Sequence, residues 1–361
     1  MKMSLEKLPQ ALDGLYRSFG YVPYTMSKFE EYELYLRNKD FLISDRVLTF
    51  TDTDGKLMAL KPDVTLSIIK NTRPGKEAIR KVFYQENVYR PGRSMEGFRE
   101  IMQIGLECMG QVDRYCVLEV LMLAVKSLAA ISDRYVLDVS HMGLLSTLLD
   151  RSGLKGSARS QVLEAVSGKN PHEIRNICQE QGVACNGLVT LAELYGKPEQ
   201  VMPSLEAIFP GSPELDQLKS LLDAMETAGC AGSVNIDFSV INDMKYYNGI
   251  VFRGFVEGVP EGVLSGGQYD GLMERMHHRE KAIGFALYPD LLERLEPAKA
   301  VPPMDAVLIY PANADLAAVT AAVANLQAQG LRVSAQPDTG TWPADCAKLY
   351  TLEGNEVRSL G

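Results

Sequence analysis

Two strand-like runs, Ile79–Arg90 (IRKVFYQENVYR) and Phe98–Gly110 (FREIMQIGLECMG), flank a polar loop, Pro91–Gly97, that carries two glycines. Further strand-like runs come only after a long interval, as SVNIDFSV, GIVFRGFVE and AIGFALY. Between them, residues 144 to about 232 keep helical periodicity, punctuated by glycines and prolines such as Gly153, Pro171, Gly196 and Pro210-Gly211. Strands, then helices, then more strands of the same sheet is not the order of an alternating doubly wound fold. It predicts an α+β chain whose composite central sheet carries a helical insertion at about 144–232.

Smaller elements fit around this frame. A helix is expected over about Leu5–Phe19, ending at Gly20, a residue suited to a helix C-cap. RVLTFTD and KLMALKP flank Thr53-Asp54-Gly55, and Asp-Gly between alternating runs predicts a hairpin. One helix is expected over about Val64–Asn71, stopped by Arg73-Pro74-Gly75. Another is expected over Asp113–Ala130, with a core stripe of Leu118, Leu121, Val125 and Leu128. The Pro/Ala-rich stretch 296–303 (EPAKAVPP) reads as a linker between residues 1–295 and a small α/β unit, 304–361. In that unit DAVLIYP, LAAVTAAVANLQAQG and LRVSAQP make one βαβ element.

Composition narrows the function. A formal charge of −9 and a pI near 5.2 give no sign of a nucleic-acid surface. The six cysteines are scattered, with no CxxC pair and no histidine at ligand spacing, so no metal site is expected. They read as free thiols of a reducing cytosol. The N-terminus is too charged for a signal peptide, and no run approaches the roughly 18 apolar residues of a membrane span. A cytoplasmic chain without membrane contact is expected.

Three short stretches carry candidate chemistry. In ALKPDVT, Asp63 either caps the following helix or faces a pocket and binds an ammonium group. In QIGLE, Gln103, Gly105 and Glu107 share one strand face, forming either a polar slot or an exposed sheet face. SGGQYDGLM offers either a close backbone approach to a ligand or a tight turn. A fourth, VINDMKYYNGIVFRG, sets two tyrosines beside polar residues, as a small-molecule pocket wall would.

Taken in order, ALKPDVT, QIGLECMG, MKYYNGIVF, SGGQYDGLM and IGFALYPDLLERL resemble the class II histidyl-tRNA synthetase catalytic domain over most of residues 1–295. The resemblance implies a six- or seven-stranded antiparallel sheet flanked by helices, a homodimer, and a histidine pocket in the sheet. Carried over by position, that pocket holds Asp63, Thr65, Gln103, Glu107, Tyr246, Tyr247, Gly266, Gly267 and Tyr269.

The departures from the pattern bear on activity. Synthetases of this class stabilise charge on the α-phosphate with arginines. At the three expected positions this chain has Tyr84, Asn242 and Leu291, and Arg294 comes three residues too late. Each loss would cost about 2.7–4 kcal/mol of transition-state stabilisation. No catalysis is therefore expected, and no cofactor. The C-terminal unit resembles a shortened anticodon domain, so tRNA is not expected as a partner.

FEEYELY, DFLISDRVLTFTDTDGKLMALKPDVTLSIIKN and ENVYR are more similar to the regulatory subunits of ATP phosphoribosyltransferase, the first step of histidine biosynthesis. That resemblance implies a short-form catalytic subunit as partner in a hetero-octamer, and a part in feedback inhibition by histidine. It leaves open whether histidine occupies the synthetase-like pocket or a subunit interface. An active histidyl-tRNA synthetase and a free-standing paralogue are the alternatives.

Overall fold

The computed structural model describes residues 5–42, 46–72, 78–92, 97–241, 247–295, 304–340 and 347–360. The expected linker, 296–303, lies outside them. The chain forms two compact units, 1–295 and 296–361.

In the first unit, α1 (Leu8–Ser18) buries Leu8, Leu12 and Tyr16, one helical turn apart, and Tyr16 Oη lies 3.0 Å from Ser127 Oγ. The edge strand β1 (Val22–Pro23) follows. Next comes a small sheet of β2 (Phe29–Glu31), β3 (Thr49–Thr51) and β4 (Leu57–Leu60), with the short helix α2 (Tyr32–Arg37) after β2. β3 and β4 pair antiparallel across the Asp54-Gly55 turn, as the hairpin signal predicted.

After α3 (Thr65–Lys70) come two long antiparallel partners, β5 (Ile79–Pro91) and β6 (Phe98–Gly110), in register from Ile79–Gly110 to Pro91–Phe98. α4 (Arg114–Ile131) starts at Asp113, whose carboxylate accepts from Cys116 N at 2.9 Å. Beyond β7 (Tyr135–His141) lie α5 (Met142–Ser152), α6 (Gly156–Ser167), α7 (Pro171–Glu180) and α8 (Asn186–Glu193). The two-residue strand β8 (Tyr195–Gly196), α9 (Pro198–Ile208) and α10 (Pro213–Thr227) complete this run. The sheet resumes with β9 (Val234–Asp237), β10 (Ile250–Val256) and β11 (Leu264–Gln268); after α11 (Asp270–Arg275) comes β12 (Lys281–Leu287).

The main sheet runs β1-β5-β6-β12-β11-β10-β7-β9-β8 among the described residues. Nine strands replace the six or seven expected, and two pairings, β1–β5 and β7–β9, are parallel. Both parallel pairs are joined by long connections, and only such crossovers permit parallel neighbours. For β7–β9 the crossover is the run of helices itself.

One sheet face is apolar. Phe83, Leu106, Phe285, Phe252 and Val139 lie in one row across it, and α1 and α4 cover them. Burying a side chain of this kind is worth about 1.5–3 kcal/mol, so this row fixes which face is left for function. The opposite face carries the polar cavity.

The second unit stands by itself as a sheet β14-β13-β15-β16 with one helix. β13 (Ala306–Tyr310), α12 (Leu316–Ala328) and β14 (Val333–Pro337) form the βαβ element. The closing segment adds a hairpin of β15 (Lys348–Glu353) and β16 (Glu356–Ser359). No helix among the described residues is long and apolar enough to cross a membrane.

Candidate functional site

The chain enters the site at the end of β4. Lys61 is fully buried and its ammonium pairs with Glu86 of β5, while Tyr89 N donates to Lys61 O at 2.9 Å. These two ties hold the β4–α3 turn against the sheet. Lys61→Met would strand the Glu86 charge, and it is expected to cost about 3 kcal/mol in a urea melt. Adding Glu86→Leu should restore most of that loss. A double variant as unstable as the single one would refute this account.

At that turn Asp63 Oδ1 accepts from Leu66 N at 2.9 Å, so Asp63 closes the first turn of α3. The same carboxyl also lines a cavity of about 700 Å³. Burial raises its pKa, and the nearby Arg90 guanidinium opposes that rise. Arg90 is itself held by donating Nε to Pro62 O at 2.9 Å.

Strand β6 supplies the floor. Gln103 and Glu107 are 3% and 2% exposed, so the slot reading holds and the exposed-face reading does not. Two rows cross this face in register: Tyr84–Gly105–Ala286–Ser265–Arg253, and Val82–Glu107–Gly284–Gly267–Val251. The glycines make the hollow. A Cβ at Gly105 would fall on the Tyr84 hydroxyl, one at Gly284 on Glu107 Oε2, and one at Gly267 2.6 Å from the Tyr247 ring. Side chains from neighbouring strands can lie flat because these positions have none.

Glu107 is the centre of the cavity. Thr65 Oγ1 donates to its Oε1 at 2.8 Å, and the Tyr269 hydroxyl donates to its Oε2 at 2.6 Å. Burial pushes the Glu107 carboxyl up to about 8 in spite of these two bonds, and the Asp63 charge adds to the rise. Near neutral pH it therefore holds a proton that a ligand can share. The Tyr247 and Tyr84 hydroxyls are both held far above the usual phenol range, first by burial. Both stay neutral donors.

The structure thus brings Asp63, Thr65, Gln103, Glu107, Tyr247 and Tyr269 onto one cavity. Tyr246 and Asn242 lie outside the described residues. Gly267 sits beneath Tyr247, but Gly266 is corrected: it faces the apolar side, where a Cβ would meet Phe285 and Phe252. Adjacent strand residues point to opposite faces, so the two glycines cannot share one floor. Leu291 packs against the hydrophobic core in the 3₁₀ turn Pro289–Leu295.

Sequence reasoning missed Arg90, Arg253, Ser265 and Tyr288 as cavity residues. The lone arginine in GIVFRGFVE was a usable signal, since a charge inside an apolar strand has to face something polar. A second hollow of about 600 Å³ lies beside β1. Arg80 there donates to Thr72 Oγ1 at 2.9 Å and sits 5.5 Å over the Tyr24 ring. Among the described residues no cluster of histidine, cysteine or carboxylate groups is arranged to hold a metal ion.

Residues 3–292 match the family model described as histidyl-tRNA synthetase. A protein of Cupriavidus pinatubonensis, described as an ATP phosphoribosyltransferase regulatory subunit, is 30% identical over 342 residues, covering 90% of this chain and 85% of that one. A Geobacter metallireducens protein of the same description is 29% identical over 255 residues. That match covers 68% of this chain but only 59% of the relative's length. A crystal structure from Bacillus halodurans, described as an ATP phosphoribosyltransferase regulatory subunit/histidyl-tRNA synthetase, superposes with a TM-score of 0.80 at 20% identity. The superposition covers 97% of this chain and 96% of that one.

Proposed function

The chain belongs to the family of ATP phosphoribosyltransferase regulatory subunits, a histidyl-tRNA synthetase-like family, and from there we propose that it acts by binding, without chemistry of its own. It activates a short-form ATP phosphoribosyltransferase catalytic subunit and makes that enzyme answer to histidine. The cavity carries this reading. Its acidic and tyrosyl groups suit an amino acid, while Tyr84 stands where the resembled synthetases hold an arginine.

Histidine is the ligand of this cavity: its imidazole meets Glu107, Thr65 and Tyr269, and its ammonium meets Asp63. Feedback then requires that histidine bind one state of the assembly better than the other. The chain works as a homodimer within a hetero-octamer in the cytoplasm. tRNA is not a partner in this reading, which α12 of the second unit supports by carrying no lysine or arginine to neutralise a phosphate.

The test is to mix the protein with a short-form catalytic subunit and assay activity with and without histidine. Co-elution, activation and histidine inhibition are expected. No gain in activity and separate elution would end the proposal. Histidine-dependent ATP–pyrophosphate exchange by the chain alone would instead make it a synthetase.

A further inference from the structure

Tyr84 stands where the resembled synthetases hold an arginine, and its geometry gives it a role of its own. It is 3% exposed, lines the cavity, and lies flat over Gly105. A buried phenol normally finds a hydrogen-bond partner. Among the described residues none makes a hydrogen bond with this hydroxyl, and it is not one of the polar atoms sealed in without a partner, so it opens on the cavity. Gln103, 3% exposed and also lining the cavity, has a side-chain amide in the same situation among those residues.

Each has a neighbour that explains its place. Tyr84 pairs across the ladder with Gly105, and Gln103 is two residues from Gly105 on the same face. Glu107 is two residues away in the other direction, about 7 Å along the strand. That distance is comparable with the span of a free amino acid. At the Glu107 end both carboxyl oxygens are already engaged, by Thr65 and Tyr269, and none of these groups carries a positive charge to hold a carboxylate. The uncommitted donors lie at the Gly105 end.

We propose that Tyr84 is a ligand-binding residue of this cavity, donating its hydroxyl hydrogen to the carboxylate of a bound amino acid beside the Gln103 amide. This rests on the reading of the cavity as an amino-acid site. It assigns the carboxylate to neutral donors, where an adenylate-forming enzyme would place a guanidinium. A neutral donor holds the carboxylate without supplying the charge that activation at phosphorus needs.

Tyr84→Phe removes only the hydroxyl and keeps the ring on Gly105. Titration calorimetry should compare histidine with histamine, which lacks the carboxylate, on the wild type, Tyr84→Phe and Glu107→Ala. A lost hydrogen bond to a charged group predicts about a ten- to hundredfold loss of histidine affinity in Tyr84→Phe. Histamine affinity should stay unchanged in that variant, and Glu107→Ala should weaken both ligands. If Tyr84→Phe binds histidine normally while Glu107→Ala does not, the Tyr84 assignment is wrong and the cavity reading stands. Equal losses for both ligands in Tyr84→Phe would also overturn it, leaving a packing role. Histidine binding untouched by either variant would overturn the assignment and the cavity reading together.

Discussion

Histidine affinity is expected to be flat between about pH 6.5 and 8 and to fall roughly tenfold per pH unit on either side. Glu107 keeps its proton up to about 8 because burial disfavours the carboxylate. A free imidazole loses its proton near pH 6.5. Between those values free cavity and free ligand together carry one titratable proton, and so does the bound pair, so none is exchanged. Below about 6.5 both partners are protonated, and binding must release one proton. Above about 8 both are deprotonated; a bare carboxylate sealed under a ligand is costly, so the complex takes one up. Calorimetry in two buffers of different ionisation enthalpy reads this directly. Binding at pH 9 without proton uptake would contradict the account, and Glu107→Gln should cut the uptake to the part that the ligand's own amino group takes up on meeting Asp63.

The same shift has a signature in stability. The folded chain holds the Glu107 proton more tightly than the unfolded chain, whose value is near 4.3. Its favourable contribution is complete below that value and is lost as pH rises to about 8. Thermal melts should therefore show Glu107→Gln gaining on the wild type between pH 6 and pH 9.

What the sequence disclosed follows from where the information lies. The Gln103–Gly105–Glu107 face was readable because a strand alternates with period two and needs no partner to do so. The β3–β4 hairpin was readable because Asp54-Gly55 is a local turn signal. Tyr84 as a cavity wall was not, because its place depends on the β5–β6 register, and nothing within either strand states that register. The two-residue edge strands β1 and β8 have no pattern of their own to read. Two misses were avoidable. Placing Gly266 and Gly267 in one pocket goes against the alternation rule, and Gly354-Asn355 between alternating runs signals the β15–β16 hairpin.

Gly284→Ala is expected to be the most damaging single methyl group that can be added to the site. The new Cβ would fall on Glu107 Oε2 and on the carbonyl oxygen of Leu106. The carbonyl belongs to the ladder that joins β12 to β6 and cannot turn aside. The carboxyl cannot leave cheaply either, since Thr65 and Tyr269 hold its two oxygens at 2.8 and 2.6 Å. Overpacking alone costs about 1–3 kcal/mol, and displacing a buried carboxyl from its donors adds about 1–3 kcal/mol more. Gly55→Ala is the control. No atom lies within 4 Å of its new Cβ, so it pays only for its positive φ of 84°, about 1–2 kcal/mol. Urea melts should therefore rank Gly284→Ala well below Gly55→Ala, and titration should show histidine binding lost in the first and kept in the second. A Gly284→Ala protein that binds histidine as the wild type does would show that Glu107 is not held over Gly284 in the working site, and the cavity would have to be redrawn.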